Sequence, residues 1–251
     1  MSRILVPLAV LEGESVSPGL VRLLEPADVT VLGYHVLPEQ TPPDQARVQY
    51  GDRATATLET LTATFEAGGG AADYRLAFTH DRDRTIDRVA AETGSQAYVL
   101  TGIADSIDRL LVPLTGDVAA DRVLAFVADL IDDREIGVTL FLATDAEADG
   151  RLLLEEAAET LSSRGIDTES TLVVSEGALG GRTFDALRED AAAHDAVVVG
   201  ERAPSLQSLL FGDEAERLAA ESVGPVLVVR RPDDSSAEGE SGSGSESEPK
   251  P

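Results

Sequence analysis

The chain predicts an α/β fold of two doubly wound, mostly parallel sheets in tandem, the first repeat truncated, with an acidic disordered tail at the C-terminus. Three observations predict it. Short β-branched runs alternate with helix-length stretches along the chain, as in strands buried on both faces of a parallel sheet. The run Arg3-Ile4-Leu5-Val6-Pro7-Leu8 has a near-copy in mid-chain, Arg109-Leu110-Leu111-Val112-Pro113-Leu114, which marks an internal repeat. Finally, Ala196-Val197-Val198-Val199-Gly200 and Gly224-Pro225-Val226-Leu227-Val228-Val229 bracket a helix-length segment, so the chain closes on another α/β unit.

The elements follow in order. After the first strand comes a helix-length stretch and a strand at Val29 to Val36; after its copy come a helix and a strand at Val138 to Leu142. In that second helix Val123, Leu124, Val127, Leu130 and Ile131 fall on one face, behind Asp117 as its cap. Ala54 to Phe65 and Arg151 to Ser163 read as helices, stopped by Gly68-Gly69-Gly70 and by Gly165. Strands at Tyr74 to Phe78 and Leu172 to Val174 precede helices starting near Thr85 and Thr183, and Tyr98 to Gly102 mirrors Val197 to Gly200. Such alternation winds right-handed. Only Ile103 to Asp108 separate Gly102 from the next copy, so the first repeat lacks a fourth helix and a fifth strand. The organisation expected is one truncated repeat over 1–105, a complete one over 106–231 and the tail over 232–251.

Composition narrows the function. Against 20 Lys plus Arg stand 46 Asp plus Glu, a net charge of −26, and the single lysine is Lys250. This pattern resembles proteins of salt-accumulating archaea, in whose molar salt the Debye length of about 3 Å screens self-repulsion. No basic stripe serves nucleic acid, no run nears the roughly 18 apolar residues of a membrane span, and no leader precedes Ile4. A cytoplasmic protein is expected. With no cysteine, thiolate chemistry and disulfides are excluded. The tail has too little apolar content to offset its ordering entropy; a solvating role is expected, with partner recognition as the alternative.

The Val-rich strand ending in Gly200, the Leu209-Leu210-Phe211-Gly212 turn and the Pro225-Val226-Leu227-Val228-Val229 strand resemble the C-terminal signature of universal stress proteins. The resemblance implies an adenosine-binding type of fold with strand order 3-2-1-4-5. It also implies a phosphate loop of the form Gly-x-x-Gly, about nine residues, then Gly-Ser or Gly-Thr. Gly200 and Gly212 match, whereas Ala203 stands at the second glycine, the Ala203 to Gly212 spacing is one residue short and Asp213 replaces the hydroxyl residue. The family's adenosine-holding Asp, two residues after the strand proline, corresponds to Ala9 and Thr115.

Asp213 bears directly on anion binding. Phosphate is drawn to the N–H groups of a turn entering a helix, but a carboxylate about 4 Å away repels a unit charge by about 1 kcal/mol in water and about 4 kcal/mol near a protein surface. With Glu216, Asp213 forms a capping box that satisfies the helix by itself. Thr115, Gly200, Ala203, Gly212 and Asp213 are thus the candidate residues of a degenerate nucleotide loop, with no cofactor expected; a sensor of ATP or AMP in the C-terminal half is the alternative. The Gly177 to Gly181 loop is a second candidate for backbone-first ligand contact.

No dinucleotide or P-loop motif is present. His80-Asp81-Arg82-Asp83 reads as a helix cap rather than a metal site, and no Gly-x-Ser-x-Gly elbow suggests a hydrolase. A non-enzymatic regulatory or interaction module with an unknown protein partner is expected. Because universal stress proteins dimerise through fifth strands, Val226, Leu227, Val228 and Val229 are expected to form an apolar edge that pairs with a second copy.

Overall fold

The computed structural model describes residues 1–100, 102–114, 117–174, 181–201 and 224–231. The expectations at Thr115, Ala203, Gly212 and Asp213, for most of the 177–181 loop and for the tail lie outside them.

Among the described residues nine strands alternate with six helices. The first block comprises β1 (Arg3–Ala9), α1 (Pro18–Leu23), β2 (Asp28–Val36), α2 (Pro43–Ala67), β3 (Ala71–Thr79), α3 (Arg82–Thr93) and β4 (Ala97–Leu100). The second comprises β5 (Arg109–Leu114), α4 (Asp117–Ile131), β6 (Gly137–Thr144), α5 (Glu147–Ser162), β7 (Thr168–Val174), α6 (Gly181–Ala192), β8 (Ala196–Gly200) and β9 (Val226–Val229). Hydrogen bonding orders them β3-β2-β1-β4-β9-β8-β5-β6-β7. Within each block the strands are parallel, in the doubly wound order expected.

The strand sequences explain how both faces are filled. In β1, Ile4, Val6 and Leu8 point to a face covered by α1 and α2, while Leu5 points to α3. In β5, Leu110 and Val112 meet α4 and α5, while Leu111 meets α6. Period-two alternation between two apolar layers requires the uninterrupted β-branched runs seen in the sequence.

The two expected sheets are joined into one, and this corrects the reading of Val226, Leu227, Val228 and Val229 as an edge for a second copy. β9 is an interior strand: it pairs parallel with β8 (Val198↔Leu227) and antiparallel with β4 (Val99↔Leu227). The physical reason is the missing fifth strand of the first block. That loss leaves the outer side of β4 unpaired, and an acceptor strand on the same chain is met at a far higher effective concentration than one on another molecule. The blocks consequently run in opposite directions and their helices meet: Arg134 donates to the carbonyls of Arg22 and Leu23 at 2.6 and 2.9 Å, joining the end of α4 to α1.

The outer edges are β3 and β7. Both carry charge, in the Asp73–Arg75 pair on β3 and in Glu169 of β7, bound by Arg109 at 2.5 Å, a common way to discourage edge pairing. One helix differs from expectation in extent: α2 starts at Pro43 rather than near Ala54. Its first turns are polar and broken by Gly51, so no periodicity marks them, but Ala46 and Tyr50 pack on Leu37 and Phe78.

Candidate functional site

Open α/β sheets bind ligands beyond the carboxyl ends of their strands, where the strand order reverses. Here the reversals fall between β1 and β4 and between β5 and β8. A proline opens each. Pairing of β1 with β4 stops at Leu5, two residues before Pro7, and pairing of β5 with β8 stops at Leu111, two residues before Pro113. Proline has no N–H for a ladder, so the strands part beyond it.

The first crevice is occupied by the chain itself. Ala9, where the resemblance puts an Asp, gives its N–H to Glu14 Oε2 at 2.6 Å. At the start of α1, Gly19 gives its N–H to the carbonyl of Ala104 at 2.9 Å. A Cβ on Gly19 would lie 2.6 Å from that oxygen, so only glycine lets the 102–108 segment lie there. Two backbone donors at this end are thereby taken by a carboxylate and a carbonyl.

Beside them, the Arg82 guanidinium lies 5.6 Å from the Tyr34 ring centroid and its Nε donates to the Tyr34 hydroxyl at 3.1 Å. Burial pushes the Tyr34 phenol above its ordinary value; Arg82 opposes the shift, and the nearby Glu14 and Glu12 carboxylates add to it. Further out, His35 sits edge-on to Tyr50 and Phe78, with centroids 6.1 and 6.4 Å away.

At the second crevice only Gly200, of the five candidate loop residues, falls among those described; it ends β8 and is buried. The next residue, Glu201, donates its N–H to the carbonyl of Val229 at 2.9 Å and accepts from the Arg231 N–H at 2.6 Å. Gly200 is thereby tied to the end of β9.

The helix cap expected within His80 to Asp83 is Asp81, the N-cap of α3, whose Oδ1 accepts from the Arg84 N–H at 3.0 Å. His80 Nε2 donates to the Thr41 carbonyl. His194 Nδ1 donates to the Asp190 carbonyl at 2.5 Å, and its Nε2 accepts from the Thr139 hydroxyl at 2.8 Å, a tie between α6 and β6. Among the described residues no group of three or more His, Cys, Asp or Glu is placed to hold a metal ion, and no helix is long and apolar enough to cross a membrane.

Sequence reasoning missed Glu14 and the Arg82–Tyr34 pair, because a glutamate in a polar loop carries no local sign of where it turns. It also missed a basic cleft at the end of β9, for which the Arg230-Arg231 doublet in a lysine-poor chain was an available signal.

No protein-family model and no curated protein sequence matches the chain. Solved structures do. A universal stress protein from Archaeoglobus fulgidus DSM 4304 superposes with a TM-score of 0.61 at 16% identity, over 92% of this chain and 97% of that one. Shorter matches include a universal stress protein from Archaeoglobus fulgidus in complex with dAMP, with a TM-score of 0.36, 20% identity and coverage of 48% of this chain and 96% of that one. Another is a universal stress family protein from Burkholderia pseudomallei, with a TM-score of 0.36, 22% identity and coverage of 49% and 96%. The chain therefore has the universal stress protein fold over nearly its whole length.

Proposed function

We propose that this protein is a non-enzymatic regulatory or interaction module of a high-salt cytoplasm, built from repeats over 1–105 and 106–231 with a solvating tail over 232–251, and that it does not take ATP by the usual phosphate loop. The observation that carries this reading is the self-occupied first crevice, where Glu14 and the Ala104 carbonyl hold the N–H groups of Ala9 and Gly19. A ligand phosphate there would have to displace a carboxylate that repels it by about 4 kcal/mol near a surface. In the second crevice the support comes from sequence alone: Ala203 and Asp213 stand where a glycine and a hydroxyl residue would cradle phosphate.

The test is mass spectrometry of the small molecules released from protein purified natively in molar potassium chloride, followed by calorimetry with ATP and AMP. An empty protein that gives no heat with either nucleotide is expected. Stoichiometric adenine nucleotide, or a saturable isotherm abolished by changing Gly200, would sink the reading and make the second half a nucleotide sensor.

A further inference from the structure

We infer that the cleft beside the β4–β9 seam binds a small phosphate monoester with an apolar or aromatic body. The cleft has a volume of about 570 Å³, within the range of small-ligand sites. Three arginines line it, Arg122 from α4 and the doublet Arg230 and Arg231 that follows β9, against one acid, Asp129. Asp129 is already bound by Arg164 at 3.2 Å. Acids outnumber bases 46 to 20 in this chain, so a lining of three arginines to one acid runs against the whole composition, with the Asp87 and Glu201 carboxylates lying behind Arg230 and Arg231.

Arg122 is held by its side chain, and Arg230 and Arg231 by their backbone. Arg122 Nη1 donates to the carbonyl of Arg230 at 3.0 Å. The Arg230 N–H is fixed on the Gln96 carbonyl at 2.8 Å, and the Arg231 N–H on Glu201 Oε2 at 2.6 Å. Guanidinium forks match the oxygens of phosphate, and a dianionic monoester balances clustered guanidinium charge better than a single carboxylate does. Ala125 and Phe126 of α4 give the cleft an apolar wall for the rest of the molecule, and Ser95 and Gln96 add hydrogen-bonding groups.

Neither block makes this cleft alone. Ser95 and Gln96 come from the first and the arginines from the second, brought together because β4 pairs directly with β9. The cleft shares no residue with the predicted phosphate loop, so it stands independently of the reading of the crevices. A ligand seated in it would bridge the seam and bind only the folded chain, raising the stability of the joined sheet.

Phenyl phosphate, inorganic phosphate and phenol are the probes, read by calorimetry and by thermal shift at low and at molar salt. Saturable binding of phenyl phosphate is expected, tighter than inorganic phosphate, with no binding of phenol and a loss of affinity in molar salt. Arg122→Gln should weaken it on the order of tenfold or more, the loss expected from removing a charged hydrogen bond. Ala125→Trp, at an exposed position of α4, should block the cleft while leaving its charge, and Arg75→Gln on the distant β3 edge should change nothing. If Arg122→Gln fails to give a cooperative melt, Ala125→Trp decides. The assignment is overturned if phenyl phosphate does not bind, if it binds no better than inorganic phosphate, or if its affinity survives Ala125→Trp.

Discussion

Leu227→Ala tests whether the two repeats are one cooperative unit. Leu227 is fully buried, paired to β4 on one side and β8 on the other, in a core cluster that also contains Ile4 and Val31 of the first block and Leu110 and Val138 of the second. Removing three carbons loses about 2.4 kcal/mol of transfer free energy at about 0.8 kcal/mol each. A strand pinned on both sides relaxes little, so a residual cavity of about 70 Å³ at about 24 cal/mol per Å³ adds about 1.7 kcal/mol. The expected loss is about 4 kcal/mol. Urea denaturation in molar salt, followed by far-ultraviolet circular dichroism, should keep one transition with an unchanged slope and a lower midpoint. Amide exchange reads the coupling, because about 4 kcal/mol is about a thousandfold in protection. Protection should fall by the same factor in β1 and β2 as in β5 and β6. A fall confined to the second block would mean that the repeats unfold separately, and a loss below about 1 kcal/mol would mean that β9 is not the shared core strand described above.

Other outcomes follow from single contacts. Asp81→Ala removes the N-cap of α3 and should cost about 1 kcal/mol, read from the urea midpoint. Gly19→Ala sets a Cβ against the Ala104 carbonyl and should cost about 1–3 kcal/mol while loosening the 102–108 segment to proteolysis. The Tyr34 phenol, raised chiefly by burial, should ionise above the ordinary phenol value in a phenolate-absorbance titration. Its native pKa exceeds its unfolded one, so the unfolded state loses the proton first. Stability should fall as pH rises from the ordinary phenol value towards the raised one, and Tyr34→Phe should flatten that slope. Because β9 is already paired on both sides, light scattering of Val228→Lys should show no change of mass attributable to a broken β9–β9 interface, only a destabilised chain.

Much of the fold was legible because it is written locally. β-Branched runs bounded by turn residues mark strands, and Asp81, Gly68-Gly69 and Gly165 mark helix ends with side-chain and backbone chemistry that acts within a few residues. The start of α2 was not legible, since its polar first turns are held by Ala46 and Tyr50 reaching Leu37 and Phe78 across the chain. The crevices were half legible. Pro7 and Pro113 sit in the sequence, but the closure of the first one by Glu14 and Ala104 depends on where a loop and a linker come to rest.

Residue type and near neighbours were enough to set the α/β alternation, the repeat, the truncation of its first copy and the acidic, lysine-poor composition. What β9 pairs with was settled only in the assembled fold. Strand pairing between residues as far apart as Val99 and Leu227 has no local signature; it goes to whichever unpaired edge is nearest and lets both apolar faces continue. In this chain that edge was β4, so a surface that the repeat pattern assigns to a second molecule became the middle of a single sheet.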